Sequence, residues 1–237
     1  MFSTQLARVL NKTMLQRQEK LFKLIVEEYL KTAEPVGSLK LSTSLKISSA
    51  TVRNEMMELE EAHLIFQPHI SAGRIPTEKG YIFYIQKFIL DKSDLSLEKK
   101  LTQTANSFSA DEKIKILAKA IVELANEAVV VAFNENQLYY TGLSCLFSKP
   151  EFSLQSMVTD LSQILDHCEE VMPEVIGKIN QNQKILLGSN NPFGRNCSFV
   201  GTTLPGYEKG ILGILGPLRM DYQKNLSLIN SLNKILS

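Results

Sequence analysis

Hydrophobic residues recur with helical spacing in the first third of the chain. Val52, Met56 and Leu59 are separated by four and three positions, so they share one face of a helix. Ser48 and Ser49 precede this stretch, and a serine hydroxyl there can accept a hydrogen bond from an unpaired amide of the first helical turn. The pattern therefore predicts a helix that starts at the two serines and ends near residues 62–63.

A short β-hairpin is predicted next. Residues 64–66 are apolar and strand-like, residues 68–73 contain turn-forming glycine and proline, and residues 74–75 form the return strand. Thr77 is placed to cap another helix, which reaches about residue 91. Helix, hairpin and helix in this order are the second half of a winged helix-turn-helix.

Two further helices are predicted ahead of Ser48. The first covers roughly residues 14–32, with Thr13 and Gln16 as a capping box. The second covers residues 39–45, with Ser38 as its cap. In a winged helix these two helices hold the DNA-reading helix in place. The apolar stripe of the first helix is expected at Leu21, Leu24, Ile25 and Tyr29.

The polar face of the helix that follows Ser48 has the chemistry of a DNA reader. Its N-terminal half is small and hydrogen-bonding, with one guanidinium. A DNA major groove admits such a helix, because arginine suits guanine, asparagine suits adenine and small hydroxyls suit phosphate. The bland alternative is a small helical domain whose Arg53 and Asn54 are only hydrated. The adjoining hairpin favours the DNA-binding interpretation. The predicted polar face carries Ala50, Arg53, Asn54, Met57 and Glu61.

These segments closely resemble the HrcA family, the heat-inducible transcription repressors of bacteria. SSATVRNEMMELEE and QPHISAGRIPTEKGY carry the resemblance, and EEYLKTAEPVGS resembles the start of the family. Two positions depart from its pattern. His63 stands near the family's usual glycine, at a place that often needs a positive φ, which histidine tolerates less well than glycine. Ile70 replaces the usual threonine.

The resemblance implies a repressor that binds double-stranded DNA at an inverted-repeat operator of the CIRCE type, upstream of chaperone operons. Repression would be relieved on heating, and the chaperonin GroEL would help to maintain the active repressor. Major-groove contacts are expected from the helix and further contacts from the hairpin, where an arginine suits a narrow minor groove. The expected DNA-binding residues are Ser48, Ser49, Thr51, Arg53, Asn54, His69, Ser71 and Arg74.

The rest of the chain alternates helices and strands, which predicts an α+β protein whose second domain is an α/β sandwich with a largely antiparallel sheet. LYYTGLSCLFSKPEF and ILGILGPLRMDY also resemble HrcA, whose second domain is GAF-like. The expected domains are therefore residues 1–92 and 93–237. Helices are predicted at 95–127 (two, the second capped by Ser109 and Glu112), 153–167, 174–180 and 221–236, and strands at 128–133, 138–145, 184–188, 197–203 and 210–215.

Charge and cysteine content add little. Residues 1–92 carry 13 Lys and Arg against 10 Asp and Glu, a mild basic bias that would not identify a nucleic-acid binder by itself. The three cysteines are odd in number and lack C-x-x-C spacing, which argues against a disulfide framework and a zinc site. We expect small buried thiols, with a redox-active one as the alternative. No transmembrane run or signal peptide is present, so a cytoplasmic location is expected.

Two other function classes remain open. In a metabolite-responsive regulator the GAF-like domain would bind a small effector, although no convergent set of charged residues marks a pocket. An enzyme with a DNA-targeting domain would need a catalytic constellation, and no H-E-x-x-H, G-x-S-x-G or P-loop occurs. His167 and Cys168 are adjacent on a predicted helix, so their side chains diverge. Arg219 and Asp221 are interpreted as an ion pair or a helix cap. No catalytic residue, cofactor or metal is expected.

Assembly is where the chain departs most from the family. HrcA proteins generally carry a dimerisation domain inserted in the GAF-like part, and the flanking strands place it after Phe133. Here only Asn134-Glu135-Asn136-Gln137 separates the two strands, enough for a hairpin but not for a domain. An inverted repeat calls for two readers, so a homodimer is still expected, through the helices of 95–127 or an exposed face of the GAF-like domain. Leu97, Leu101 and Phe108 are the candidate contacts, with packing inside their own domain as the alternative role for each.

Overall fold

The computed structural model describes residues 16–89, 94–104, 109–152, 168–180 and 184–237. It divides the chain into two compact units, Met1–Ile89 and Leu90–Ser237. Several sequence predictions lie outside the described residues: the cap at Thr13, the link at 92–93, Phe108 and the helix at 153–167.

The first unit contains four helices and a two-stranded hairpin among its described residues. The helix starts and ends agree with the sequence predictions to within three residues. The elements are α1 (Gln16–Thr32), α2 (Ser38–Leu45), α3 (Ser49–Glu61), β1 (Ile65–Phe66), β2 (Ile75–Pro76) and α4 (Glu78–Phe88).

Helix α1 supplies the centre of this unit's core. Leu21 and Ile25 are fully buried as predicted, but Phe22 and Val26 are buried with them, whereas Leu24 and Tyr29 are only half-buried. The predicted stripe was therefore partly wrong. Helix α1 contacts α2, α3, α4 and β2, so its buried face is wider than the narrow apolar stripe that the sequence predicted.

The segment between α1 and α2 does more than break the helix. Val36 pairs with Arg74 across two backbone hydrogen bonds of 2.9 and 3.0 Å, which adds a third partner to the β1–β2 hairpin. Gly73 permits this pairing, because a Cβ there would lie 2.4 Å from the Val36 carbonyl carbon.

Ser38 does not cap α2 as predicted: the helix begins at Ser38 itself, and Gly37 is the N-cap.

The second unit contains one five-stranded antiparallel sheet with helices. The strand order is β4-β3-β7-β6-β5, and every neighbouring pair is antiparallel, which confirms the α+β class and the antiparallel sheet. The elements are α5 (Leu95–Thr104), α6 (Ala110–Ala125), β3 (Ala128–Asn134), β4 (Gln137–Thr141), α7 (Leu143–Phe147), α8 (Cys168–Lys178), β5 (Ile185–Leu187), β6 (Cys197–Thr203), β7 (Ile211–Pro217) and α9 (Tyr222–Leu236).

Side chains alternate along each strand, so every strand has residues on both faces of the sheet. Helices pack on both of these faces. On one face, Val130 and Phe199 pack in a cluster with Met172 and Val175 of α8. On the other face, α6 contacts β3 and α9 contacts β6. Leu97 and Leu101, the candidate dimer contacts, are buried within the unit and are not available on its surface.

The β3–β4 hairpin forms as predicted, with Asn134 paired to Gln137. The strand predicted at 138–145 is too long, since β4 ends at Thr141 and Cys145 lies in α7. Gly142 explains the end: its φ is +77°, and a Cβ there would lie 2.6 Å from the Val122 side chain. Glycine alone reverses the chain at this place without strain.

The predicted helix cap at Asp221 is confirmed, whereas the expectation of buried cysteines holds for Cys168 and Cys197 but is wrong for Cys145, which is half-buried. The carboxylate of Asp221 accepts a 3.0 Å hydrogen bond from the Lys224 amide and caps α9, and Arg219 pairs with Glu151. Burial raises the pKa of Cys168 to about 11 and that of Cys197 to about 12. Both thiols therefore stay protonated near neutral pH, which disfavours a nucleophilic or redox role for them.

A buried ion pair lies at the start of β3. The Lys149 ammonium is 2.9 Å from Glu127 Oε1, and the two side chains are 15% and 5% exposed. The other oxygen of Glu127, Oε2, is buried and has no hydrogen-bond partner within the described part of the chain. Burial raises the pKa of Glu127 to about 7, although Lys149 acts in the opposite direction. Desolvation therefore outweighs the ion pair here.

We expect the raised pKa of Glu127 to make the folded state less stable as the pH rises. A carboxyl with a higher pKa in the folded than in the unfolded chain stabilises the fold below the unfolded value of 4.5. That contribution is lost as the pH rises through about 7, and it amounts to about 3 kcal/mol in total.

Urea unfolding between pH 4.5 and 8 measures this effect. Glu127→Gln should flatten the pH dependence of the free energy of unfolding, whereas Glu123→Gln, at an exposed position on α6, should leave it unchanged. An unaltered pH dependence in Glu127→Gln would contradict the assignment.

Candidate nucleic-acid interface

Helix α3 begins with a serine cap, as the sequence predicted. The Ser48 hydroxyl accepts a 3.1 Å hydrogen bond from the Thr51 amide, and it lies 2.9 Å from the Thr51 hydroxyl. Ser48 has an extended backbone, so the hydroxyl turns back over the first turn. Two of the predicted DNA-binding hydroxyls therefore also define where α3 starts.

The polar face of α3 is exposed as predicted. Arg53 and Asn54 project to solvent, whereas Val52, Met56 and Leu59 are buried against the rest of the unit. Within the described residues, the Arg53 guanidinium makes two long contacts of 3.4 Å, to the hydroxyls of Ser38 and Ser49. Contacts at that limit are weak, so the guanidinium can be given to another partner at little cost. All five residues predicted on this face are exposed, namely Ala50, Arg53, Asn54, Met57 and Glu61, and Glu58 is exposed as well.

Charge distinguishes the two halves of this face. The first half carries Arg53, and the exposed Lys46 stands in the turn just before the helix, with a left-handed φ of 57°. The second half carries the exposed carboxylates Glu58 and Glu61. A polyanion is attracted to the first half and repelled by the second. The sequence analysis missed Lys46, because a lone lysine in a turn carries no pattern.

His63 ends α3 in the conformation that the sequence comparison suggested. Its φ is 58°, and its amide donates to the Glu60 carbonyl at 2.9 Å. The Leu64 amide donates to the Leu59 carbonyl at 3.0 Å. This pair of hydrogen bonds is a Schellman motif, which normally has glycine at the left-handed position. The turn sends the chain directly into β1.

Helix α4 approaches this turn closely. The Thr77 hydroxyl donates to the His63 carbonyl at 2.7 Å and accepts from the Gly80 amide at 2.9 Å, so the predicted cap of α4 is confirmed. A Cβ on Gly80 would lie 2.0 Å from the Leu64 carbonyl oxygen. Only glycine allows α4 to pass this close to the backbone that follows α3.

The carboxylate of Glu60 holds both sides of the hairpin loop, residues 67–74. Its Oε1 accepts from the Gln67 amide at 3.2 Å, and its Oε2 accepts from Arg74 Nε at 2.9 Å. Across the loop, the Gln67 side chain donates to the Ala72 carbonyl at 2.9 Å. One side chain of α3 thus fixes where the loop lies. The sequence analysis missed Glu60, since it resembles any other glutamate of an amphipathic helix.

The residues expected at the hairpin occupy different environments. Arg74 is only 18% exposed and is paired with Glu60, so its guanidinium is engaged inside the unit. His69, Ile70 and Ser71 form the tip of the loop and are all exposed. Ser71 has a φ of 74°, and the Ala72 amide closes the turn onto the His69 carbonyl at 3.0 Å. The tip of the hairpin is therefore exposed to solvent, whereas its arginine is held within the unit by the ion pair with Glu60.

Two other kinds of site were sought in the described residues. They contain no group of three or more His, Cys, Asp or Glu that could hold a metal ion. No helix among them is both long and apolar enough to span a membrane.

Comparison with known proteins places the chain in a family. Residues 35–226 match the family model of the HrcA protein C terminal domain. The heat-inducible transcription repressor HrcA of Natranaerobius thermophilus is 36% identical over 319 residues, covering 90% of this chain and 93% of the relative. The chain belongs to the HrcA family. The repressor of the same name from Brevibacillus brevis is 26% identical over 329 residues, covering 93% of this chain and 96% of the relative.

The HrcA relatives are longer than this chain. The alignment to the Natranaerobius thermophilus repressor spans 319 residues, which exceeds the 237 residues of the chain itself. The relatives therefore contain residues that have no counterpart here.

A solved structure shares the fold. The crystal structure of a hypothetical protein at 2.2 Å resolution superimposes with a TM-score of 0.74 at 18% identity, covering 94% of this chain and 98% of the other. At that identity the likeness concerns the fold alone.

The left-handed His63 predicts a stabilising substitution. His63→Gly should raise the free energy of unfolding by about 0.5–1 kcal/mol, because glycine removes the steric cost of the left-handed region but loses more entropy on folding. Ala62→Gly is the matched control: Ala62 has a right-handed φ of −72°, so glycine there should lower stability by up to about 1 kcal/mol. Chemical denaturation measures both, and equal effects of the two variants would contradict the assignment.

Proposed function

We propose that this HrcA family member is a DNA-binding repressor of transcription whose first unit is a winged helix-turn-helix. One observation carries the proposal. Helix α3 has an exposed first half with no acidic residue in its first turn, and Glu60 of the same helix holds the adjoining hairpin in place. A helix with that face suits a major groove, and a braced hairpin beside it suits the neighbouring backbone or minor groove. Both relatives are named as heat-inducible transcription repressors, which agrees with this function.

Within this proposal, the first half of α3 reads bases and the loop makes flanking contacts. Arg53 and Asn54 offer bidentate hydrogen bonds to guanine and adenine. Glu58 and Glu61 would repel phosphates, so α3 enters the groove by its N-terminal end. The proposed DNA-binding residues are Ser48, Ser49, Thr51, Arg53, Asn54, His69 and Ser71, to which the exposed Lys46 is added as a phosphate contact. Arg74, which was expected among them, is instead proposed to hold the hairpin through its ion pair with Glu60.

The finer assignments rest on the family. The second unit is proposed to be GAF-like, which its antiparallel sheet with helices on both faces supports. The operator would be a CIRCE-type inverted repeat, repression would be released by heat, and GroEL would maintain the active repressor. Selection of bound duplexes from a random pool, followed by a salt titration, tests the operator and the DNA-binding function together.

Base reading by Arg53 and Asn54 has a measurable cost. Truncation of either residue to Ala should weaken binding to the selected duplex by about 1–3 kcal/mol and relax base preference at one position. Arg195→Ala, which removes an exposed arginine of the second unit, is the matched control and should bind like the wild type. Equal losses on selected and random DNA would show that the two residues touch only phosphate.

Arg74 is tested by its salt dependence. The guanidinium would have to leave Glu60 to reach a phosphate, and an ion pair at 18% exposure opposes that exchange. We expect Arg74→Ala to lower the thermal midpoint and to leave the slope of log affinity against log salt unchanged. A slope that falls by about one unit would instead assign a phosphate contact to Arg74.

An inverted repeat implies two copies of the chain, and we propose a homodimer on DNA. It forms without the longer relatives' additional residues and without Leu97 and Leu101, which are buried in their own unit. Analytical ultracentrifugation should show weak self-association of the free protein and a two-protomer complex on a duplex with two half-sites. A strict monomer that binds one half-site as tightly as the repeat would contradict the dimer.

A further inference from the structure

Ile70 is an isolated apolar side chain at the tip of the hairpin loop. It is 93% exposed, more than Leu39, Met57 or Leu95, the other large aliphatic side chains that are more than half exposed in the described part of the chain. A single exposed isoleucine is ordinary on a protein surface. What sets Ile70 apart is that the backbone which carries it is held in place from three directions.

The first constraint comes from α3. Both oxygens of the Glu60 carboxylate are used, one on the Gln67 amide and one on Arg74, so the two limbs of the loop are tied to one side chain. The second constraint crosses the loop, from the Gln67 side chain to the Ala72 carbonyl. The third is the pairing of Arg74 with Val36. Ile70 is therefore presented at a fixed place relative to the exposed face of α3.

The hairpin carries no acidic residue that would repel DNA, and its arginine already forms an ion pair within the unit. Residues 62–77 contain no Asp or Glu, so nothing in the hairpin repels a phosphate backbone. The arginine of the hairpin is paired with Glu60. His69 directs Nδ1 to the Ile70 carbonyl at 3.2 Å, and the Ile70 side chain beside it is directed to solvent.

We propose that Ile70 is a DNA-contacting residue, which packs against deoxyribose and base edges of the minor groove beside the site of α3, with Glu60 as its positioning residue. The inference rests on the proposed function. Apolar side chains serve as minor-groove contacts because the sugar walls of the groove are themselves apolar. The contact would select the width and flexibility of the flanking base pairs rather than a hydrogen-bonding pattern.

Binding measurements with Ile70→Ala test the contact. Burial of an aliphatic side chain of this size corresponds to a loss of about tenfold or more in affinity when it is truncated. The salt slope should stay at the wild-type value, because no phosphate is neutralised by isoleucine. Leu95→Ala is the matched control, since it truncates a 70% exposed leucine of the second unit, and it should bind like the wild type. Wild-type affinity in Ile70→Ala would overturn the proposal.

Hydroxyl-radical cleavage locates the contact, because it reports protection of sugars in the minor groove. The wild type should protect sugars that flank the major-groove site of α3, and Ile70→Ala should lose that protection and no other. A footprint that is identical in both proteins would overturn the minor-groove assignment.

Glu60→Gln tests the positioning role. The amide keeps the size of the side chain but loses the charged bond to Arg74, so the loop should lose its fixed orientation. If Glu60 acts through Ile70, the double variant should bind no more weakly than the weaker single variant. Additive losses would overturn this part of the proposal, and circular dichroism of each variant verifies that the unit is folded.

Arg53→Ala separates this inference from the proposed function. A wild-type protein that fails to distinguish selected from random duplexes removes the function and the inference together. If selection succeeds and Arg53→Ala loses it while Ile70→Ala does not weaken binding, only the role of Ile70 is wrong.

Discussion

The carboxylate of Glu60 accepts a hydrogen bond on each oxygen, one from the Gln67 amide and one from Arg74, and the first unit takes its functional geometry from this arrangement. A carboxylate that meets a guanidinium forms a charge-assisted bond, which is shorter and stronger than a neutral one. Partial burial of Arg74 keeps water from competing for the pair. Because Glu60 is in the last turn of α3, the orientation of the hairpin follows the orientation of the helix.

Close backbone packing completes this arrangement. His63 turns the chain in a left-handed conformation immediately after α3, and Gly80 lets α4 pass against the Leu64 carbonyl. Gly73 lets the hairpin lie against Val36. A helix face and a loop tip that are both exposed, yet rigidly related, can be presented to a duplex with little loss of conformational entropy on binding. In this arrangement Arg74 holds the hairpin in place through its ion pair with Glu60, and Ile70 occupies the exposed tip of the loop.

The second unit is built on different physics. The strands β3, β6 and β7 of its antiparallel sheet are buried on both faces, so hydrophobic contact dominates there. Glu127 and Lys149 form a buried ion pair at the start of β3, and there the cost of desolvation exceeds the gain from the ion pair. A short hairpin stands where longer relatives are expected to carry additional residues. The proposed self-association of this chain would therefore use another surface.

Features that depend on residues close together in the chain could be predicted from the sequence, whereas features that depend on contacts between distant residues could not. The Ser48 cap, the exposed face of α3, the hairpin and the strands β3, β6 and β7 were predictable, because caps, periodicity and turn residues act within a few positions along the chain. The left-handed turn at His63 was indicated by the resemblance to the HrcA family, in which glycine usually stands near this place. The end of β4 was not, since Gly142 is constrained by Val122 across the unit.

Only the tertiary structure decided the partners of the charged and apolar side chains. Arg74 was expected at the DNA from its place in a hairpin, but its pairing depends on Glu60, fourteen residues earlier in the chain. Leu97 and Leu101 could have served either as dimer contacts or in packing within their own domain, and the structure buries both within their own unit. Local sequence determines which face of an element is apolar and where the element ends. Which neighbour covers that face depends on contacts between distant segments, and no pattern along the chain records them.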